Sequence, residues 1–317
     1  MLTWSSSEVA ALVRAVSRAP SVHHTQPWTV EVRTEFADLH EQPVALPRHD
    51  PEGRDRVLSC GAALTNLELA VRVLGQDTAT TVLPTPAEPT LLARVHARGG
   101  RTATSAEAAE YAAIFRRRSH REPFALRPVR AGVLRALTDV AVLPEARVRV
   151  VDPATESRAV AGLLGYAASV YHDDPAYQRE LAAWSHGFPQ PPTVDSTLPW
   201  AGLVRRETRL PDELTLADRL ARERLLIVHT PGDSRRDHLL AGAAMQHLWL
   251  TAVGKGLVAS VLTQPLHLDE VRTGLAERLA LGGFPQLILR VGWPARADEY
   301  RTPVAARARR DRSRSSR

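Results

Sequence analysis

Apolar residues recur at helical spacing in two clear stretches. Val9, Leu12, Val13 and Val16 predict a first helix, and Leu64, Leu67, Val71 and Leu74 predict a later, longer one. Ser5 followed by Glu8 reads as a capping box opening the first helix. Runs without polar alternation, such as "QLILRV" at 286–291, predict strands buried on both faces. Between the first helix and the strand "TVEV" (29–32) lies "SRAPSVHHTQPW", residues 17–28. A plain connector rarely needs so many donors and acceptors. Either the turn satisfies itself, or it is built to hold something polar and flat.

The pattern occurs twice. "RDRVLSCGAALTNLELAVRVLG" (54–75) resembles "RDHLLAGAAMQHLWLTAVGKG" (236–256), with Arg54-Asp55 over Arg236-Asp237 and Gly61-Ala62-Ala63 over Gly242-Ala243-Ala244. "VLPTP" (82–86) lies over "VLTQP" (261–265), and "PTLLARV" (89–95) over "PQLILRV" (285–291). Upstream, "LVRAV" leads to "TVEV" as "VLRAL" leads to "ARVRVV". A period this long excludes a solenoid and implies two fused copies of one α/β unit, an α/β (α+β) fold packed about a pseudo-two-fold axis. The expected division is 1–112, 113–303 and a tail at 304–317, with an insertion at about 152–222 in the second copy. That insertion holds a helical stretch ending near Trp184 and then a Pro-rich loop. Such loops are lids or disorder, and Phe188 and Trp200 favour a lid. A ligand site belongs between the halves.

Composition changes this picture little. With 44% apolar and 24% charged residues the chain is of soluble globular type, and Lys255 interrupts its best membrane-spanning candidate. The lone Cys60 excludes an internal disulfide and points to a reducing, cytoplasmic setting. The net charge of +6 is local: residues 301–317 hold seven Arg and one Asp, and the remainder balances at 34 basic against 34 acidic. A nucleic-acid-binding domain would spread that excess over a folded face, so the tail reads as solvated.

In "RRRSHR", Arg117, Ser119 and Arg121 alternate and share a side if extended. Two guanidiniums and a hydroxyl suit a phosphate monoester. A solvated basic linker is the equal alternative. The sequence has no GxGxxG after a strand, no Walker A, GxSxG, CxxC or HExxH. His23 and His24 diverge as neighbours and lack an acidic or Cys partner at ligand spacing, so no metal is expected. His229, His238 and His247 are scattered, and "TPGDS" (230–234) reads as a strand-to-helix turn with an N-cap.

Taken together, "APSVHHTQPW", "RRRSHREPF", "AGAAMQHLWLTAVGKGL", "LTQP" and "PQLILRVGWP" resemble the nitroreductase superfamily, in its fused single-chain Acg-type branch, over roughly residues 8–303. The resemblance implies a nitroreductase-like pseudo-dimer with a lid and one flavin mononucleotide (FMN) between the halves. By similarity Arg117, Ser119 and Arg121 would hold the phosphate, with Arg290 or Arg301 as a further contact. Ser21, His23, His24, Thr25 and Gln26 would meet the polar edge of the ring, and Thr263 and Gln264 would pass near its reactive nitrogen. His24 stands where the family commonly has Asn. The implied activity is that of an FMN-dependent oxidoreductase, with NAD(P)H as possible reductant and a planar small molecule as substrate, in either redox direction. A flavin-sequestering protein with a closed lid is the alternative. The resemblance implies a monomeric pseudo-dimer and leaves further association open.

Overall fold

The computed structural model describes residues 4–122, 124–140, 145–184 and 204–295; Phe188, Trp200, Arg301 and the basic tail lie outside them. Helix α1 (Ser6–Val16) opens on the expected capping box, with Ser5 Oγ accepting from Glu8 N–H and Glu8 accepting from Ser5 N–H. Strands β1 (Trp28–Val32) and β2 (Phe36–Glu41), helix α2 (Arg54–Val73) and strands β3 (Gln76–Val82) and β4 (Leu91–Gly100) follow. After α3 (Ser105–Ile114) the pattern begins again with α4 (Ala131–Val140) and β5 (Arg147–Val150). Then come α5 (Ser157–Asp173), α6 (Pro175–Trp184) and α7 (Glu213–Leu220), before β6 (Arg224–Thr230), α8 (Arg235–Gly254), β7 (Val258–Leu262), α9 (Asp269–Arg278) and β8 (Phe284–Gly292). Ser234 caps α8 just after β6, where the strand-to-helix turn was expected.

Two four-stranded sheets result, ordered β1-β2-β4-β3 and β5-β6-β8-β7, each antiparallel throughout. The repeat read from the sequence is therefore a repeat of topology, and α2 and α8 are both 20 residues long. β2 was not anticipated, whereas β6 ends at the strand-to-helix turn expected at 230–234. β2, "FADLHE", shows too little apolar alternation to announce itself, and its pairing partner β4 lies some fifty residues on.

The two sheets differ in burial for a structural reason. In the second sheet Leu226, Leu287 and Leu289 face a core shared by both halves, while Leu225, Ile227 and Ile288 face a second core built with α5, α6, α7 and α9. The insertion covers the outer face, so β6 and β8 need apolar residues on both sides. β1 and β3 lack that cover, and their outer positions remain polar and partly exposed.

The halves meet where α2 crosses α8. A Cβ placed on Gly61 would lie 2.0 Å from the Leu239 carbonyl oxygen, and one on Gly242 would lie 2.0 Å from that of Leu58. These are the two glycines that align in the repeat, so the close approach is itself pseudo-symmetric. Thr65 Oγ1 donates to the Ala243 carbonyl (3.1 Å) and Gln246 to Asn66 Oδ1 (2.8 Å), satisfying polar groups in an otherwise apolar junction. No helix among the described residues is long and apolar enough to cross a membrane.

Candidate functional site

The turn at 17–28 largely closes on itself. Thr25 Oγ1 donates to the Val22 carbonyl (2.8 Å), Gln26 N–H donates to Ser21 Oγ (3.0 Å), and Gln26 Nε2 donates to the Ser17 carbonyl (2.8 Å). Ser59 Oγ of α2 accepts from Val22 N–H at 3.1 Å. Ser21, Thr25 and Gln26 thus spend side-chain bonds on shaping the turn. The shape is costly: His23, His24 and Gln26 have φ of 45°, 60° and 48°. Non-glycine residues in this region cost about 1–3 kcal/mol each and cluster where geometry serves function. His24 is exposed. His23 turns inward, and its Nε2 is buried without a hydrogen-bond partner.

Around His23 stand groups from both halves. Its ring meets that of His49 edge-on at 4.6 Å and lies nearly parallel to that of Trp184, on α6, at 6.3 Å. His49 is fully buried; Glu180 of α6 accepts from His49 N–H and Arg48 N–H (both 3.0 Å) and bonds His49 Nδ1 at 2.9 Å. Tyr177 packs its ring 4.2 Å from that of His49. Burial, aided by the neighbouring His49 and opposed by Asp55 and Glu180, pushes the His23 pKa down to about 4. Because this lies below the ordinary 6.5, the unfolded chain binds more protons between the two values. Stability therefore rises with pH through that window and is lost as pH falls from about 6.5 to about 4. His23→Gln is expected to flatten this acid limb in urea titrations at stepped pH. An unchanged slope would show that His23 titrates as a free histidine.

Thr263 and Gln264 reach the same region from the second half. Arg54, at the start of α2, donates to the carbonyls of Leu266 (3.1 Å) and Thr263 (3.2 Å), and Asp55 accepts from Thr263 Oγ1. Gln264 Nε2 donates to the His49 carbonyl (3.1 Å), and the Gln264 carbonyl accepts from Tyr171 (2.8 Å). Gln264 Oε1 is buried and unbonded. Burial alone would raise the Asp55 carboxyl; His267, Arg54 and Thr263 outweigh it and hold the group well below the usual range. Asp50, Asp55 and His267 bring possible ligating atoms within 4.8 Å of one another. Asp50, however, uses both oxygens on the N–H groups of Asp55 and Arg56 at the head of α2. Arg54 already supplies positive charge 3.6 Å from Asp55, so the cluster reads as a clasp between halves.

The arginine motif runs beside the edge strand β7, where Ser119 bridges Ala259 and His120 N–H donates to the Ala259 carbonyl (2.9 Å). Arg117 turns toward the first half: Nη2 reaches the Arg18 carbonyl at 3.4 Å and the guanidinium lies 4.5 Å from the Trp249 ring. Its Nε and Nη1 are buried and unbonded, and burial, with Arg118 nearby, pushes its pKa down to about 10. Burial and the like charge of Arg205 lower that of Arg121, which also acts electrostatically on His23. Ser119 is exposed. Arg290 is committed elsewhere: fully buried in β8, it makes a two-pronged pair with Glu223 (2.7 and 2.6 Å) and reaches Ser260 at 3.3 Å. A guanidinium so engaged has little left for a phosphate. Arg301 lies outside the described residues.

Sequence reasoning missed Arg54, His49 and Glu180. "RHDPEGRD" did carry a signal, a polar turn before an apolar helix, but Glu180 sits in an ordinary amphipathic helix and none of its neighbours in sequence points to His49.

Two units of one topology share a core, which makes the chain a fused pseudo-dimer, and under-bonded cationic and imidazole groups lie where the halves meet. The chain belongs to the nitroreductase family. It is 32% identical over 304 residues to a Mycobacterium tuberculosis protein provisionally named NAD(P)H nitroreductase, covering 92% of this chain and 86% of the relative. A second relative from that organism, provisionally named NAD(P)H nitroreductase acg, is 28% identical over 313 residues, with 95% and 93% covered. No family model matches the chain. Among solved structures it is similar to a nitroreductase with bound FMN from Bacteroides fragilis (16% identity, TM-score 0.40, 59% of this chain and 88% of that one). It is also similar to the FMN-dependent nitroreductase NfnB from Mycobacterium smegmatis in complex with NADPH (17%, TM-score 0.39, 61% and 90%).

Proposed function

We propose that the chain binds one FMN between its halves and acts as an FMN-dependent oxidoreductase, with NAD(P)H as reductant and a planar organic molecule as the second substrate. The observation that carries this reading is Arg117: a desolvated guanidinium with two unbonded donors, close to a strained turn whose one inward side chain also lacks a partner. Buried polar atoms of this kind are costly unless a ligand completes them. Arg117 and Arg121, with Ser119, would take the phosphate. His23 and Gln264 would offer polar atoms to the ring edge, while Ser21, Thr25 and Gln26 hold the turn in shape. Bound FMN supplies the two-electron redox chemistry; the chain supplies position, charge and exclusion of water. The motif occurs in the second copy alone, which supports a single site. The lone Cys60, buried and free, fits a cytoplasmic setting.

A flavin-sequestering role is the second reading, favoured by the packing of α6, whose Trp184 lies over His23. The deciding experiment is a visible spectrum of the purified protein with and without added FMN, then anaerobic addition of NADH or NADPH. A yellow protein that bleaches supports the reductase. A yellow protein that does not respond favours sequestration, or a flavin reduced by its own substrate. A protein that stays colourless with FMN in excess overturns both.

A further inference from the structure

The first 300 residues balance 34 basic against 34 acidic side chains, yet the two signs are not evenly mixed. From Val9 to Val30 the chain carries Arg14 and Arg18 and no carboxylate. From Tyr111 to Arg121 it carries Arg116, Arg117, Arg118 and Arg121, and again no carboxylate. The fold lays these two acid-free segments together. Arg117 Nη2 reaches the Arg18 carbonyl at 3.4 Å, and the Arg14 guanidinium stands 5.8 Å from the Phe115 ring. Arg14, Arg18, Arg116 and Arg118 are all exposed. Exposed arginines elsewhere meet carboxylates: Arg33 meets Glu31 at 2.8 Å, Arg158 meets Glu213 at 3.2 Å and Arg236 meets Glu145 at 3.1 Å. Among the described residues none of these four does so. Glu8, Glu31 and Glu110, which flank the two segments, are spent on Ser5, on Arg33, and on His247 with Thr251. The result is a cationic ridge without counter-ions. It adjoins the candidate site, because Arg118 acts on Arg117 and Arg18 follows Ser17, whose carbonyl holds Gln26 in the strained turn.

We propose that this ridge, Arg14, Arg18, Arg116 and Arg118, receives the 2′-phosphate of NADPH and makes the protein select NADPH over NADH. The proposal rests on the flavin reading above, in which Arg117 and Arg121 are already assigned to FMN. The two coenzymes differ only in that phosphate monoester, which carries nearly two negative charges at pH 7. Guanidiniums meet such a group through charge-assisted, two-pronged bonds. An excess of one sign beside a cleft also concentrates ligands of the other sign there. Exposure suits the role: the nicotinamide has to enter between the halves, while the adenosine end of the same molecule can stay outside. A nucleic acid fits less well, since it calls for basic charge spread over a folded face. Here the charge is confined to two short segments that meet next to Arg117.

The test uses the full chain. Calorimetry gives its affinity for adenosine 2′,5′-bisphosphate and for 5′-AMP, and anaerobic flavin bleaching gives half-saturation by NADPH and by NADH. The bisphosphate is expected to bind roughly 10- to 100-fold more tightly than 5′-AMP, from two or three exposed charge-assisted contacts, and the margin should shrink as salt rises. Arg18→Gln combined with Arg118→Gln is expected to remove most of that margin and to lower the preference for NADPH over NADH by a similar factor. Neither side chain has a hydrogen-bond or ion-pair partner among the described residues, so the variant should fold as wild type does. Arg33→Gln, which removes an exposed arginine already paired with Glu31, is the control and should leave both ratios unchanged. Equal binding of the two adenosine ligands, or a margin that survives the double substitution, overturns the ridge and leaves the flavin reading intact. So does salt-sensitive capture of single-stranded DNA that the double substitution abolishes while the bisphosphate shows no margin, because the ridge then serves a nucleic acid. Failure to take up FMN overturns the flavin reading, and the coenzyme role of the ridge with it.

Discussion

Gly242→Ala is expected to destabilise the protein by about 3 kcal/mol or more, and Gly61→Ala by a similar amount. In each case the new methyl would sit 2.0 Å from a backbone carbonyl of the opposing helix, and no rotamer change can relieve a clash with backbone. The remedy is to separate α2 from α8, which opens the core shared by both halves and forfeits dispersion contacts along their length. Gly132→Ala on α4 is the control, because nothing lies within 4 Å of the added carbon. There the expectation is a gain of about 0.5–1 kcal/mol from reduced backbone entropy in the unfolded chain. Equilibrium urea unfolding of the three variants decides the matter. If Gly242→Ala falls within about 0.5 kcal/mol of wild type, the crossing is looser than described.

The second large effect concerns ligand affinity. Arg117→Ala combined with Arg121→Ala is expected to weaken FMN binding by roughly 10²- to 10⁴-fold, since each charge-assisted contact contributes about 1.5–3 kcal/mol. The same change should leave the ligand-free fold within about 1 kcal/mol of wild type. Arg117 has two buried donors unbonded, so its removal relieves a desolvation cost while losing the Trp249 contact, and the two offset. Flavin absorbance after gel filtration, paired with thermal unfolding of the ligand-free protein, reads both halves of the prediction. Full FMN occupancy in the double variant would remove these arginines from the phosphate site. A collapse in stability would mean that Arg117 is held there for structure.

The clasp around Asp55 shows how the two copies have parted. Arg54-Asp55 and Arg236-Asp237 align in sequence, yet only the first pair reaches across to grip the other half, at Thr263 and Leu266. In the second pair Asp237 completes the capping box of its own helix, and Arg236 pairs with Glu145 at the surface. The single clasp parallels the single arginine motif, which occurs in the second copy alone. Glu180 adds to the asymmetry, because α6 has no counterpart in the first unit.

The sequence by itself determined what is local or repeated. The capping box at Ser5 depends on neighbours three residues apart, and the order of elements in each half was legible because the same apolar spacing appears twice. The pairing of Gly61 with Gly242 was legible too, though not its reason. The polar turn posed its question in sequence and was answered only in three dimensions: Ser21, Thr25 and Gln26 close the turn, and His23 alone faces inward without a partner. Tertiary structure likewise decided that Arg290 belongs to Glu223, 67 positions away, and that Glu180 fixes His49 across 131. Spacing encodes which side of a helix or strand a residue occupies. It does not encode which charge it meets when distant segments pack, and buried charges are governed by that meeting, because a low-dielectric interior makes every unpartnered charge expensive.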